Sequence, residues 1–230
     1  MSRLSFPVLA LAALSACGGG TAPREPAKAP ASAEPGAGAS ARHSLPADEN
    51  RFYSPVAGIS IDKQPSWSFM SLEHELANRQ AVSVGNANTD AVMHDSTTAP
   101  LVVIARYPEP SEKPNPTLKI TLRPLADLRA TPPVDIARAV AKVMSQAIPT
   151  FEVEGHARAL EVGGLPGATF RAHFTLEVPH LQRTFPVSTE AWIVPRGEYA
   201  VIVVTSDPTG GAGNYDPDFQ AMVKSLVIRR

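Results

Sequence analysis

The chain has 230 residues, of which 43% are hydrophobic and 19% charged, enough apolar material for the packed core of one or two domains. The formal net charge is −1; removing residues 1–16 takes away one of the 21 basic residues, Arg3, and none of the 22 acidic ones, so the balance moves only to −2, and no basic field exists to attract nucleic acid. One cysteine excludes an internal disulfide, so stability has to come from an ordinary core.

The amino terminus reads as an address. Met1–Arg3 is a short basic start, Leu4–Leu14 an apolar run, and Leu14-Ser15-Ala16-Cys17 closes it with small residues. These are the parts of a secretory signal, and the run is too short to span a bilayer core of roughly 30 Å as a helix. The tetrapeptide resembles the lipobox of bacterial prolipoproteins. That resemblance implies cleavage between Ala16 and Cys17, lipid on Cys17, and a membrane as the partner of the lipid, since multiple acyl chains anchor stably. Gly18, where aspartate would favour retention, resembles an outer-membrane destination facing the periplasm.

Residues 17–50 are mostly Ala, Pro, Gly and Ser with almost no large apolar side chain. Such a segment cannot bury enough surface to offset its ordering entropy, so it is expected to be a disordered tether. As a flexible coil its ~33 residues reach roughly 30–35 Å. No second break in composition follows, and residues 51–230 are read as a single globular domain.

Within that domain, Gly58–Ile61 alternates and Trp67–Met70 forms a second short strand. Ser71 is placed to cap a helix through Gln80, with Leu72 and Leu76 on its apolar side. Residues 81–99 are polar and give no clear pattern. Leu101–Tyr107 is a buried strand, Pro108–Pro116 a loop, and Leu118, Ile120 and Leu122 alternate with Lys119, Thr121 and Arg123 as a half-buried strand. Pro132-Pro133 opens a helix whose Ile136, Val140, Val143, Ala147 and Ile148 share a face before Pro149 stops it. Phe151–Glu154 and Ala159–Val162 read as two short strands, and Gly163–Gly167 as a turn. Phe170, Ala172, Phe174, Leu176 and Val178 alternate with Arg171, His173, Thr175 and Glu177, the cleanest amphipathic strand in the chain. Ser188–Val194 and Tyr199–Thr205 flank a hairpin turn at residues 195–198. Asp216-Pro217-Asp218, with Asp216 as cap, begins a last helix buried along Phe219, Met222, Val223 and Leu226. The expected class is α+β: an antiparallel sheet flanked by helices in α/β/α layers.

Residues 53–67, YSPVAGISIDKQPSW, are similar to the entry of PsbP-like domains, where an aromatic residue, a Gly-apolar-Ser-apolar strand and a turn leading to tryptophan follow one another. The two long strands before the end, and Phe219-x-x-Met-Val-x-Ser-Leu226, resemble the close of such domains. Bacterial lipoproteins of the DcrB-like and LpqN-like kinds carry them, and residues 71–100 depart from the pattern by being longer and more polar. The resemblance implies a PsbP-like fold and a binding or assembly role, and it brings no catalytic residues.

The histidines, His43, His74, His94, His156, His173 and His180, show no metal-ligand spacing. His94-Asp95 reads as a solvated loop pair and His173 as a surface residue. No Gly-x-Ser-x-Gly elbow occurs, and Cys17 is taken by lipid. The glycines of residues 207–213 lack the Lys-Ser/Thr that a phosphate cradle needs. Glu73 with Glu75, and Asp216 with Asp218, read as helix-surface acids, and Trp67 and Trp192 as core. No cofactor, metal or catalytic residue is therefore expected. The expectation is a non-enzymatic, membrane-anchored envelope lipoprotein that binds a protein partner or a small apolar ligand in the periplasm. The alternative is a hydrolase or metal-dependent enzyme with a site assembled from scattered residues. Residues 81–99 and 207–215, long polar connections, are the candidate binding segments.

Overall fold

The alternation that makes residues 165–178 amphipathic also makes them the strand around which the chain is laid out. In the computed structural model, which describes residues 49–94, 99–108, 115–179 and 182–229, the order is β1 (Arg51–Ser54), β2 (Ile59–Asp62), β3 (Ser68–Phe69), α1 (Leu72–Gln80), α2 (Ala87–Met93), β4 (Val102–Ala105), β5 (Thr117–Pro124), α3 (Pro133–Ala147), β6 (Glu152–Val162), β7 (Leu165–Val178), β8 (Arg183–Arg196), β9 (Tyr199–Asp207), α4 (Asp216–Ser225) and β10 (Val227–Ile228). Seven strands form one antiparallel sheet in the order β3-β4-β5-β9-β8-β7-β6, and β1-β2-β10 form a small second sheet. The signal and tether readings, Ala16 and Cys17 included, lie outside the described residues.

Each face of the large sheet carries its own apolar cluster. On one face Ile136, Val140 and Met144 of α3 meet Phe170, Phe174, Ile193, Ile202 and Val204. On the other, Phe219 and Met222 of α4, Ile59 and Ile61 of β2, and Trp67 meet Ile120, Trp192 and Val203. Both tryptophans are core residues, as the sequence suggests. Each fully buried large side chain contributes on the order of 1.5–3 kcal/mol, so the two clusters clamp the sheet from both sides. The class is α+β, with an antiparallel sheet between helical layers.

Several local expectations are corrected. The two short strands expected at 151–162 are one strand, β6, with a register shift between Glu154 and Arg158. Gly155, at φ 67°, absorbs that shift as a bulge, where the sequence alone reads as a break. Lys119 and Thr121 are buried, not solvent-facing, because β5 is covered on both sides. The buried side of α1 consists of Glu75, Asn78 and Arg79, while Leu72 is exposed, so Glu75 is not a surface acid. Ser71 does cap α1, accepting from His74 N at 3.2 Å. At α4 the capping position is Tyr215, and Asp216 lies in the first turn with its carboxylate turned to Arg171. The glycine turn is tighter than expected, since β7 already begins at Leu165.

Candidate functional site

The two faces of the sheet are not covered equally. α3 lies over β6, β7 and β8, whereas on the opposite face the apolar cluster of α4 and the small sheet centres on β4, β5, β8 and β9. This leaves a groove over β6–β8. Pairing register builds its walls in rows: Glu154 beside Arg171 beside Glu190, Glu152 beside His173 beside Ser188, and Arg158 beside Thr169 beside Trp192. β9 extends the rows, placing Thr205 by Glu190 and Asp207 by Ser188. At one end the groove deepens into a cavity of ≈ 230 Å³, bordered by Gly210, Gly211 and Asn214 and by Tyr215 and Asp216 at the start of α4.

Charge in the groove is organised around Arg171. Its Nε donates to Glu190 Oε2 at 3.0 Å, and Nη2 lies 2.9 Å from that oxygen and 3.1 Å from Asp216 Oδ2. Glu190, itself buried, also accepts from Thr169 Oγ1 and Gln220 Nε2, both at 3.0 Å. Burial by itself lowers the Arg171 pKa, but the Glu190 and Asp216 charges outweigh it and the net shift is upward. His173 stands between two neighbours, Ser188 Oγ at 3.0 Å from Nδ1 and Glu154 Oε2 at 3.5 Å from Nε2. Asp207 is 5% exposed, and its Oδ1 accepts from Thr209 N at 2.9 Å and Thr209 Oγ1 at 2.6 Å. The Tyr215 hydroxyl pairs with that of Tyr107 at 3.0 Å; this hydrogen bond, with burial, pushes the Tyr215 pKa up to about 12. Among the described residues lining the cavity, four carry carboxylates, Glu154, Glu190, Asp207 and Asp216, and one, Arg171, a guanidinium.

Among the described residues the two candidate binding segments lie on opposite faces of the sheet. Residues 207–215 border the cavity. Residues 81–94 pack on the opposite face, with Val82 and Val84 in the α3 cluster, Ser83 bridged to Glu177, and Thr89 Oγ1 donating to Ala147 O at 2.9 Å. His94 contacts Val82 O at 3.2 Å through Nε2. Asp95, His43 and His180 lie outside the described residues. His156 is exposed on β6, and His74 sits at the cap of α1. Among the described residues no three His, Cys, Asp or Glu side chains converge as metal ligands do. Sequence reading placed His173 on the surface correctly but missed the groove, because its rows exist only once four strands pair in register.

No family model matches the chain, and no curated protein matches it. The fold is similar to several solved structures at low identity. LpqN of Mycobacterium tuberculosis, involved in cell envelope biogenesis, is 11% identical over 82% of this chain and 88% of its own, with a TM-score of 0.46. Cyanobacterial PsbP from Synechocystis sp. PCC 6803 is 11% identical over 78% and 91%, with a TM-score of 0.45. The Ran-binding protein Mog1p of Saccharomyces cerevisiae is 10% identical over 79% and 95%, with a TM-score of 0.46. Likeness at this level carries no inference about activity or partner.

Proposed function

We propose that the chain is a lipid-anchored protein of a bacterial cell envelope that binds a protein partner through the groove over β6–β8. One observation supports the binding surface: polar and charged side chains of β6, β7 and β8 are left uncovered on one face while the other face is sealed by α3. The charged lining suits a protein surface better than a small apolar ligand, which would leave those groups without partners. Anchoring rests on the Leu14–Cys17 tetrapeptide, and the tether would let the groove reach partners away from the bilayer.

A photo-crosslinking residue at His173, compared with one at Arg138 on the outer, solvent-exposed side of α3, tests the surface. A discrete adduct from position 173 and none from 138 is expected in intact envelopes; adducts from both, or from neither, reject the groove. The anchor is tested separately. Cys17→Ala should release the protein from membranes or leave its precursor uncut, and an unmodified Cys17 in the native protein's mass spectrum would refute lipidation.

The Ser188–His173–Glu154 arrangement favours a second reading, a serine hydrolase. In it His173 Nδ1 takes the hydroxyl proton as Ser188 Oγ adds to an acyl carbon, then returns the proton to the leaving group, and water releases the acyl group. Against it, the His173 and Glu154 side chains are 54% and 60% exposed, so solvent screens the pair that would orient the ring. Labelling of Ser188 by a fluorophosphonate, abolished in His173→Gln, would establish the hydrolase; an unlabelled wild type excludes it.

A further inference from the structure

We infer that the outer face of the small sheet, with the β1–β2 turn, is a contact surface for the anionic headgroups of the bilayer that carries the chain; the inference rests on the lipid anchor at Cys17. In β1, β2 and β10 one set of side chains, Ile59, Ile61 and Ile228 among them, faces the core. The register leaves the other set outward, in a row of Tyr53 beside Ser60 beside Val227. Val227 is 49% exposed, and Val56, in the turn between β1 and β2, is 90% exposed, more than any other large hydrophobic side chain among the described residues. That turn is held on both sides. Ser54 Oγ accepts from Ala57 N at 3.2 Å, Arg196 Nη1 donates to Ala57 O, and Gly58 O accepts from Arg229 N at 2.8 Å. A valine presented on a fixed turn has little entropy left to lose on insertion.

Charge and connectivity select the occupant. Arg229 lies over the Tyr53 ring, 5.4 Å from its centre, and its Nη1 donates to the Tyr53 hydroxyl at 3.3 Å. Among the described residues no carboxylate pairs with Arg229, whereas Arg51 is matched by Asp62 at 2.6 Å, and Glu198, in the β8–β9 turn, is matched by Arg129 at 2.8 Å. An unmatched guanidinium beside an exposed valine and a tyrosine suits a headgroup layer. Phosphate takes the cation, the amphipathic ring sits at headgroup level, and the apolar tip enters below it. The apolar stem of arginine lets it follow without leaving the phosphates. The chain itself brings this face to the bilayer. The segment from Cys17 joins the domain at Arg51, the first residue of β1. Its reach of roughly 30–35 Å is shorter than the roughly 40 Å expected across a domain of about 180 residues. Surfaces beside Arg51 are therefore presented to the bilayer at higher effective concentration than those across the molecule.

The test uses the full lipidated chain in vesicles of phosphatidylcholine, alone or mixed with phosphatidylglycerol, that contain a nitroxide-labelled lipid as quencher. A bimane fluorophore is attached at Ser60→Cys, in the middle of the outward row, or at Arg138→Cys on the outer side of α3; Cys17, once acylated, offers no thiol to the label. Quenching at position 60 and not at 138, stronger in the mixed vesicles, is expected. Arg229→Gln should lower the ratio of bound to free domain in the mixed vesicles by about fivefold, the contribution of one basic residue at an anionic surface. Val56→Asp, at a position too exposed to disturb the core, should abolish the quenching. Quenching at both positions, at neither, or unchanged in Val56→Asp overturns the inference. A bimane change at position 60 in detergent that grows with protein concentration, without quenching by lipid, gives this face to a second copy and overturns the membrane contact. A chain that floats with the vesicles but is not quenched at position 60 overturns the contact and leaves the anchor standing; a chain that does not float refutes the anchor, and the contact with it.

Discussion

Lys119 Nζ on β5 lies 2.8 Å from Glu75 Oε1 on α1, and both side chains are sealed from solvent. The same oxygen accepts from Arg79 Nε at 2.9 Å, one helical turn on. α1 is thus fastened to the sheet by an ionic contact where a helix would ordinarily use leucine, and its Leu72 points outward. Glu75→Ala leaves two buried cations without this carboxylate. It should cost about 3–5 kcal/mol of unfolding free energy. Glu73→Ala, two residues away on the exposed side, should change stability by less than about 0.5 kcal/mol. Chemical denaturation of the two variants makes the comparison, and similar small losses would show that α1 is held by something else.

The Tyr107–Tyr215 hydrogen bond ties the segment after β4 to the start of α4, and it gives a pH signature. The Tyr215 pKa is raised from 10.0 to about 12, chiefly by that hydrogen bond. The folded value exceeds the unfolded one, so the associated stability is fully present below pH 10 and is lost as pH rises through about 12. Tyr107→Phe should bring Tyr215 back toward its ordinary range and flatten this alkaline loss. Ultraviolet titration of tyrosinate, followed alongside unfolding, reads both effects. A Tyr215 pKa still raised to about 12 in the variant would mean that burial, not the partner, raises it.

The turn between β6 and β7 makes a third prediction through a contrast of neighbours. Gly163 and Gly164 both have positive φ, 60° and 83°, as a two-residue hairpin turn of the primed type requires. A Cβ at Gly164 meets nothing within 4 Å, whereas at Gly163 it would come within 2.8 Å of Ile228 Cγ1 on β10. Gly164→Ala should therefore cost about 1–2 kcal/mol of backbone strain. Gly163→Ala should add about 1–3 kcal/mol of overpacking and loosen the Ile228 N to Gly163 O hydrogen bond at 3.0 Å. Amide exchange at Ile228, faster in Gly163→Ala than in Gly164→Ala, would confirm that the turn anchors the carboxyl-terminal strand.

What was legible in the sequence was whatever depends on one buried face. Phe170 and Phe174 could be placed inside and His173 outside because a strand has period two and β7 buries one side most deeply. The α3 stripe was legible for the same reason at helical period, and Pro132-Pro133 and Pro149 bracketed it without any tertiary information. The Lys119, Thr121 and Arg123 side of β5 misled, because alternation says which residues differ but not what covers each side; the polar face of α1 covers it. Asp207 reads in sequence as the start of a glycine-rich turn. Only the antiparallel pairing of β7, β8 and β9, with α4 returning over β8, gathers it with Glu190 and Arg171, residues 17 to 36 positions away, around one cavity. Local periodicity is written along the chain, whereas the groove is a product of register between strands, and register is decided by how the two apolar faces pack.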